Sequence, residues 1–295
     1  MNWLQISVNT TKNNAEKVED SLLSIGALTV TLTDAADQPI LEPGVDETPI
    51  WNSVVVTGLF NDEIDALALL DALKKNLSNV EYSVNTDILE DQNWTRAWMD
   101  HYHPMQFGER LWVCPLHLDP PEPGAVNLRL DPGLAFGTGT HPTTSLCLRW
   151  LDKNIHKQND ILDFGCGSGI LAIAACMLGA AHADGVDIDP QALLATHSNA
   201  EVNRVNDKIS SYLPDDFQQQ HSETTYDIVV ANILSGPLAE LAPTLAKHTK
   251  AQGHIVLSGI LREQAETVLD TYKGFFTMDD PIFDEDWVML HGIKE

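Results

Sequence analysis

Asp163-Phe-Gly165-Cys-Gly167-Ser-Gly169 is the stretch on which the reading of this chain turns. Ile161-Leu-Asp-Phe164 before it is a short apolar run that reads as a buried strand, and Ile170 to Leu178 after it reads as an apolar helix. Strand, glycine turn and helix together open a β-α unit. Glycines let a backbone turn tightly and approach a ligand closely. The helix start adds unpaired N–H groups and a positive dipole end, which suit a carboxylate or a phosphate. Asp187 ends the next strand, Ala183 to Ile188, twenty-two residues after Gly165. That is close to the spacing at which an acid meets ribose hydroxyls. Asp189 has a local use, as N-cap of the helix that Pro190 starts, so Asp187 is the ribose candidate.

Working outward, the same alternation continues to the end of the chain. Helices are expected over Pro190 to Asn203, Leu238 to Lys247 and Glu263 to Tyr272. Strands are expected over Tyr226 to Ala231, His254 to Ser258, Phe275 to Met278 and Trp287 to His291. Upstream lie the short strands Arg110 to Cys114 and Val126 to Leu130 and a helix from Thr143 to Leu151. Repeated β-α units imply a parallel, doubly wound α/β sheet that takes its ligands at the carboxyl edge.

The first ninety residues follow another rhythm. Strands at Trp3 to Val8, Leu28 to Thr33, Val54 to Phe60 and Tyr82 to Leu89 enclose helices at Asn14 to Ile25 and Glu63 to Leu77. In the second helix Ile64, Leu67, Leu70 and Leu77 supply the apolar spacing. The order β-α-β-β-α-β is the ferredoxin-like split pattern. It holds no Cys, His or glycine loop, and so reads as a scaffold or docking module. Between the halves, Trp94, Trp98 and His101 fall at helical spacing and Pro104 ends the run, giving a linker helix. The two tryptophans either pack on the next domain or help form a site mouth. The expected division is 1–90, 91–104 and 105–295.

Composition narrows the function classes. The chain has 295 residues, 43 % of them apolar and 20 % charged, enough for a core and ordinary for a globular protein. Lys and Arg number 17 against 43 Asp and Glu, a net charge of −26. Gripping nucleic acid needs basic side chains on phosphates, and an anionic membrane repels such a chain, so neither is an expected partner. A basic protein is attracted. No cationic segment with an apolar run opens the sequence, and the longest apolar stretch, Ile170 to Leu178, is too short for a membrane span. Four unpaired cysteines (114, 147, 166, 176) fit a reducing cytoplasm. His101 and His103 have no third ligand nearby, and no metal is expected.

Two further stretches carry chemistry. Asp131-Pro-Gly-Leu-Ala-Phe136-Gly-Thr-Gly-Thr140-His-Pro-Thr143-Thr144 precedes a helix and has the makings of a loop over a ligand. Thr143 or Thr144 either caps that helix or touches the cofactor. His141 reads as structural. Asn232 ends the strand Tyr226 to Ala231; it either caps the following helix or uses its carboxamide oxygen to aim an attacking amine.

The glycine spacing departs from the dinucleotide pattern, which needs a glycine where Ile170 stands. It resembles instead the nucleoside-binding loop of seven-stranded S-adenosylmethionine methyltransferases. With the threonine-rich loop and Asn232-Ile-Leu-Ser235-Gly-Pro-Leu238, the whole chain closely resembles the bacterial ribosomal protein L11 methyltransferase family. That resemblance implies a small ferredoxin-like α+β substrate-recognition domain before a seven-stranded Rossmann-like methyltransferase domain. It implies S-adenosyl-L-methionine as cofactor, contacted by Thr144, Gly165, Asp187 and Asn232, with Thr143 near the acceptor amine. It implies a cytoplasmic protein-lysine and α-amine N-methyltransferase acting on free large-subunit ribosomal protein L11, itself a monomer and without direct nucleic-acid contact. No aromatic residue follows Asn232 as in amide-modifying relatives, which favours an amine acceptor. Ser235 stands where many family members have Ala. A nicotinamide oxidoreductase and a cofactor-sensing module without catalysis are the competing classes.

Overall fold

The structure, a computed structural model, describes residues 2–36, 38, 40, 48–89, 102–130 and 139–295. The linker helix expected over 91–104 falls outside these residues except at 102–104, as does the loop from 131 to 138. The chain divides into two compact units, Met1–Met99 and Asp100–Glu295.

In the first unit, β1 (Trp3–Thr11), α1 (Lys12–Ser24), β2 (Thr29–Asp34), β3 (Ser53–Asn61), α2 (Ala66–Asn76) and β4 (Ser83–Leu89) follow in order. The strands form one antiparallel sheet in the order β2-β3-β1-β4. Alternation along β1 and β3 sends Leu4, Ile6, Val8, Val54, Val56 and Phe60 to one face, where they bury with Val18 and Leu22 of α1. The sequence assigns the inner face of α2 only in part: Leu77 is buried and Leu70 packs against the core as expected. Asp65 caps this helix through Leu67 N–H at 2.9 Å, and its buried positions are Leu69 and Leu73. Ile64 and Leu67, read as core, are exposed. With four leucines in one short helix, apolar spacing alone admits more than one face.

The second unit opens with a three-stranded sheet of β5 (Met105–Phe107), β6 (Leu111–Cys114) and β7 (Val126–Arg129). Then come α3 (Pro142–Asn154), β8 (Asp160–Phe164), α4 (Ile170–Leu178), β9 (His182–Val186), α5 (Pro190–Val202), β10 (Ile209–Tyr212) and α6 (Pro214–His221). The chain continues through β11 (Tyr226–Asn232), α7 (Ser235–His248), β12 (Thr249–Leu261), α8 (Ala265–Tyr272), β13 (Phe276–Met278), β14 (Ile282–Asp284) and β15 (Trp287–Lys294). The main sheet runs β10-β9-β8-β11-β12-β15-β13, parallel from β10 to β12, with β15 antiparallel. Seven strands were expected and the described sheet has eight, because β14 pairs with β15 beside Trp287–Met289, on the strand that β13 pairs at Gly292–Lys294.

Helices cover both faces, which is why the parallel strands read as continuous apolar runs. Ile161, Ile228, Val230 and Val256 join one core with α3 and α4; Leu162, Val229, Ala231, Ile255 and Leu257 join the other with α7 and α8. Eight of the nine residues of α4 are buried, so this helix is held by contacts all round rather than along one stripe. The chain leaves β8 toward β9 on one side, while β11 lies on the other. That reversal opens a crevice at the carboxyl ends of β8 and β11. No helix of the described residues is long and apolar enough to cross a membrane.

Candidate cofactor and acceptor site

The crevice holds a cavity of about 380 Å³. Its walls come from the turn after β8 (Gly165, Cys166, Gly167), the end of β9 (Val186, Asp187, Ile188) and the end of β11 (Asn232, Ile233, Leu234), with Thr144 from α3. Four sequence-predicted residues, Thr144, Gly165, Asp187 and Asn232, thus meet around one space. Thr143 is not in the described lining; it is buried, and its hydroxyl pairs with His141 Nδ1 at 2.8 Å.

The turn after β8 is shaped by its glycines. Gly165 has φ +84°, and a Cβ there would lie 2.2 Å from Ile233 Cγ2. Gly165 and Cys166 both donate their N–H groups to Val186 O, at 2.7 and 3.1 Å, which fastens the turn to β9. Asp187 ties it again. Its Oδ2 accepts Gly167 N–H at 2.9 Å and its Oδ1 accepts Asp189 N–H at 3.0 Å. Each carboxylate oxygen keeps a second lone pair for a ligand hydroxyl. Asp189 caps α5 through Gln191 N–H at 2.9 Å, so the two acids divide their work as the sequence suggests.

Asn232 Nδ2 donates to Thr144 Oγ1 at 3.1 Å, across two elements distant in sequence. This corrects both capping readings. The helix after Asn232 starts at Ser235 with Leu234 as its N-cap, and α3 is capped by His141, whose Nδ1 accepts Thr143 N–H at 3.4 Å. Pro142 fills the first position of α3, so neither threonine is needed as a cap. Burial holds the His141 ring below the ordinary histidine pKa, opposed by Glu285. Its edge-to-face contact with Trp287, 4.7 Å between centroids, fits the structural reading.

Asp163 is the site residue that sequence reasoning quoted without a role. It is buried; Oδ2 accepts Ala172 N–H at 3.1 Å, and Oδ1 has no partner. Burial, with a smaller push from the Asp187 charge, raises its pKa to about 7 against that one hydrogen bond. Burial likewise pushes the Cys166 thiol up to about 12, which removes it as a nucleophile at neutral pH. Sequence reasoning also missed Ile188, 84 % exposed, and Leu234, 53 % exposed, an apolar rim open to a flat ligand. The signal was available: a large apolar residue directly after a strand-ending acid has no core to enter.

The lining fits a phosphate-free nucleoside carrying an amino acid better than a diphosphate. Asp187 offers carboxylate acceptors suited to hydroxyls, and among the described residues no Lys or Arg lines the cavity. The model for ribosomal protein L11 methyltransferase (PrmA) matches residues 2–295. The chain belongs to the ribosomal protein L11 methyltransferase family. It is 48 % identical over 296 residues to the ribosomal protein L11 methyltransferase of Shewanella sediminis, covering all of both chains. It is 50 % identical over 295 residues to that of Cellvibrio japonicus, covering 100 % of this chain and 99 % of the other. Among solved structures it resembles the ribosomal protein L11 methylase of Lactobacillus delbrueckii subsp. bulgaricus. That match has a TM-score of 0.59 at 30 % identity, over 66 % of this chain and 100 % of the other. As a member of the ribosomal protein L11 methyltransferase family the chain is an enzyme, and its methyl donor is S-adenosylmethionine. The nicotinamide oxidoreductase and the non-catalytic module are thereby set aside.

Proposed function

We propose that this enzyme methylates amines, the N-terminal α-amine and lysine side chains, of large-subunit ribosomal protein L11 in the cytoplasm before the substrate joins the ribosome. The observation that carries the acceptor class is the Asn232–Thr144 hydrogen bond. It commits one N–H of the Asn232 carboxamide and so fixes the amide plane, which holds the carboxamide oxygen as an acceptor for an amine hydrogen beside the second N–H. S-adenosylmethionine supplies a sulfonium methyl group in this crevice. Asp187 would take the ribose hydroxyls, and the glycine turn would bring bare backbone against the ligand. Ile188 and Leu234 cover the base. Asn232 and Thr144 hold the acceptor nitrogen in line, and Thr143 stands behind them. Proximity of this kind supplies several kcal/mol of a barrier. The acceptor reacts as a neutral amine, and an apolar crevice favours loss of its proton because burial disfavours charge.

The first unit serves as the substrate-recognition module. Its β-α-β-β-α-β order and its strand order β2-β3-β1-β4 support the ferredoxin-like reading of residues 1–90. Residues 91–104 are the linker and 105–295 the seven-stranded methyltransferase core to which β14 is added. The enzyme works as a monomer, on a basic protein, away from nucleic acid and membrane.

Incubation with purified ribosomal protein L11 and S-adenosylmethionine, followed by mass analysis, tests the reading. The expected result is whole-methyl increments on amines; an unmodified protein overturns it. Asn232→Ala is expected to lower kcat about a hundredfold, the scale of a lost positioning contact, with donor affinity much less affected.

A further inference from the structure

The glycine turn is also held from behind. Thr196 Oγ1 donates to Gly167 O at 3.1 Å, and Asn199 Nδ2 donates to Ser168 O at 2.9 Å. Both side chains belong to α5, three residues apart and therefore on one face. Thr196 is fully buried. A Cβ on Gly169 would lie 2.8 Å from its Cγ2 and Oγ1, so the turn sits directly against this threonine. In a trans peptide the C=O and N–H point opposite ways. Two carbonyls bound to α5 therefore fix two consecutive peptide planes of the turn.

The same face of α5 continues one turn further to Asn203, the residue that ends the helix. Its Oδ1 accepts Arg129 N–H at 2.7 Å, and its Nδ2 donates to Arg129 O at 2.8 Å and to Asn199 O at 2.8 Å. The helix that sets the glycine turn is thus itself pinned to the end of β7. Hydrogen-bonding needs explain each polar group here, but not why three such residues share one stripe of a helix whose neighbouring inward positions are Ala192 and Ala200.

We propose that Thr196 and Asn199 are positioning residues for methyl-donor binding: through Gly167 O and Ser168 O they hold the glycine turn in its ligand-accepting form, with Asn203 anchoring their helix. The inference rests on the site reading above. It predicts that affinity is lost with the two hydrogen bonds rather than with stability in general.

Calorimetric binding of S-adenosylhomocysteine to the full chain tests it, with melting temperature measured alongside. Thr196→Val and Asn199→Ala are each expected to weaken binding about tenfold, the effect of one lost hydrogen bond, with the cost falling mainly on the donor KM. Thr196→Ser keeps the hydroxyl and restores affinity. Val268→Ala, a cavity in the α8 core at a residue that does not line the crevice, lowers the melting temperature and leaves affinity unchanged. Asn199 is only half-buried, so its variant folds even where Thr196→Val does not. Undiminished binding by both variants overturns the proposal, and so does an equal loss in Val268→Ala at matched stability. A wild-type chain that binds no S-adenosylhomocysteine overturns the site reading and the proposal together, whereas wild-type binding with unaltered variants overturns the proposal alone.

Discussion

Asp163 carries a carboxyl into a place that water does not reach, with one oxygen bonded to Ala172 N–H and the other bare. A folded-state pKa of about 7 stands above the ordinary aspartate value of 3.8. The folded protein therefore holds this proton more tightly than the unfolded chain does. The stabilisation is complete below the unfolded pKa and is lost as pH rises from about 4 to about 7; its full size is at most about 4 kcal/mol. Thermal melts of wild type and Asp163→Asn across that range test this. The wild-type curve is expected to fall relative to the variant as pH rises, and parallel curves would refute it. Asp187 makes a different kind of claim. Because its Oδ2 already holds Gly167 N–H, Asp187→Ala removes the proposed ribose acceptor and frees the turn at once. The expected loss of S-adenosylhomocysteine affinity is at least about a hundredfold, from two charge-assisted hydrogen bonds, read by calorimetry. At this scale the sequence was informative where a residue type has few local uses, as with Asp187 beside the capping Asp189. It was silent on Asp163, because burial of a carboxyl depends on neighbours such as Ala172 and Cys147 that the fold supplies.

The elements divide along a physical line. β8, α4 and β11 are legible because they are apolar enough to be buried on both faces, and Thr144, Gly165, Asp187 and Asn232, picked from the sequence, line the one cavity these elements frame. β10 and α6 were passed over. Ile209–Tyr212 is an edge strand whose four residues are all half-buried, and α6 buries only Phe217, so neither shows a period. α7 begins three residues earlier than apolar spacing suggests, since Pro237 sits in its first turn, where the missing N–H is not needed. β12 extends to Leu261 past Gly259, a residue that reads as a break. The hydrogen bonds from Thr196 and Asn199 to the glycine turn join segments some thirty residues apart and leave no local pattern. Where α4 meets β8, Gly165→Ala gives the element-scale test. A methyl at φ +84°, 2.2 Å from Ile233 Cγ2, is expected to cost about 1–3 kcal/mol. Because Ile233 must move and lines the cavity, donor affinity falls too. Chemical denaturation and calorimetry read the two effects, and a variant unchanged in both would show that the turn does not require glycine.

Over the whole molecule, 43 acidic residues against 17 basic ones leave a field that a basic protein feels before it touches. None of this charge enters the cavity as a fixed cation, and the described lining holds one formal charge, on Asp187. Chemistry and recruitment are thus separable by ionic strength. Exposed charges are screened beyond about 10 Å at 0.1 M salt and about 3 Å at 1 M, whereas contacts within a buried crevice are screened far less. Raising salt is therefore expected to increase the KM for ribosomal protein L11 several-fold while kcat and the affinity for S-adenosylhomocysteine hold nearly constant. Steady-state kinetics with the intact substrate read the first, and calorimetry reads the last. The comparison that isolates the field uses a small amine-bearing acceptor of no net charge. Its KM should be insensitive to salt, because the long-range attraction is gone and the crevice is unchanged. If both acceptors respond alike, salt acts at the crevice itself, and the acidic surface serves solubility alone.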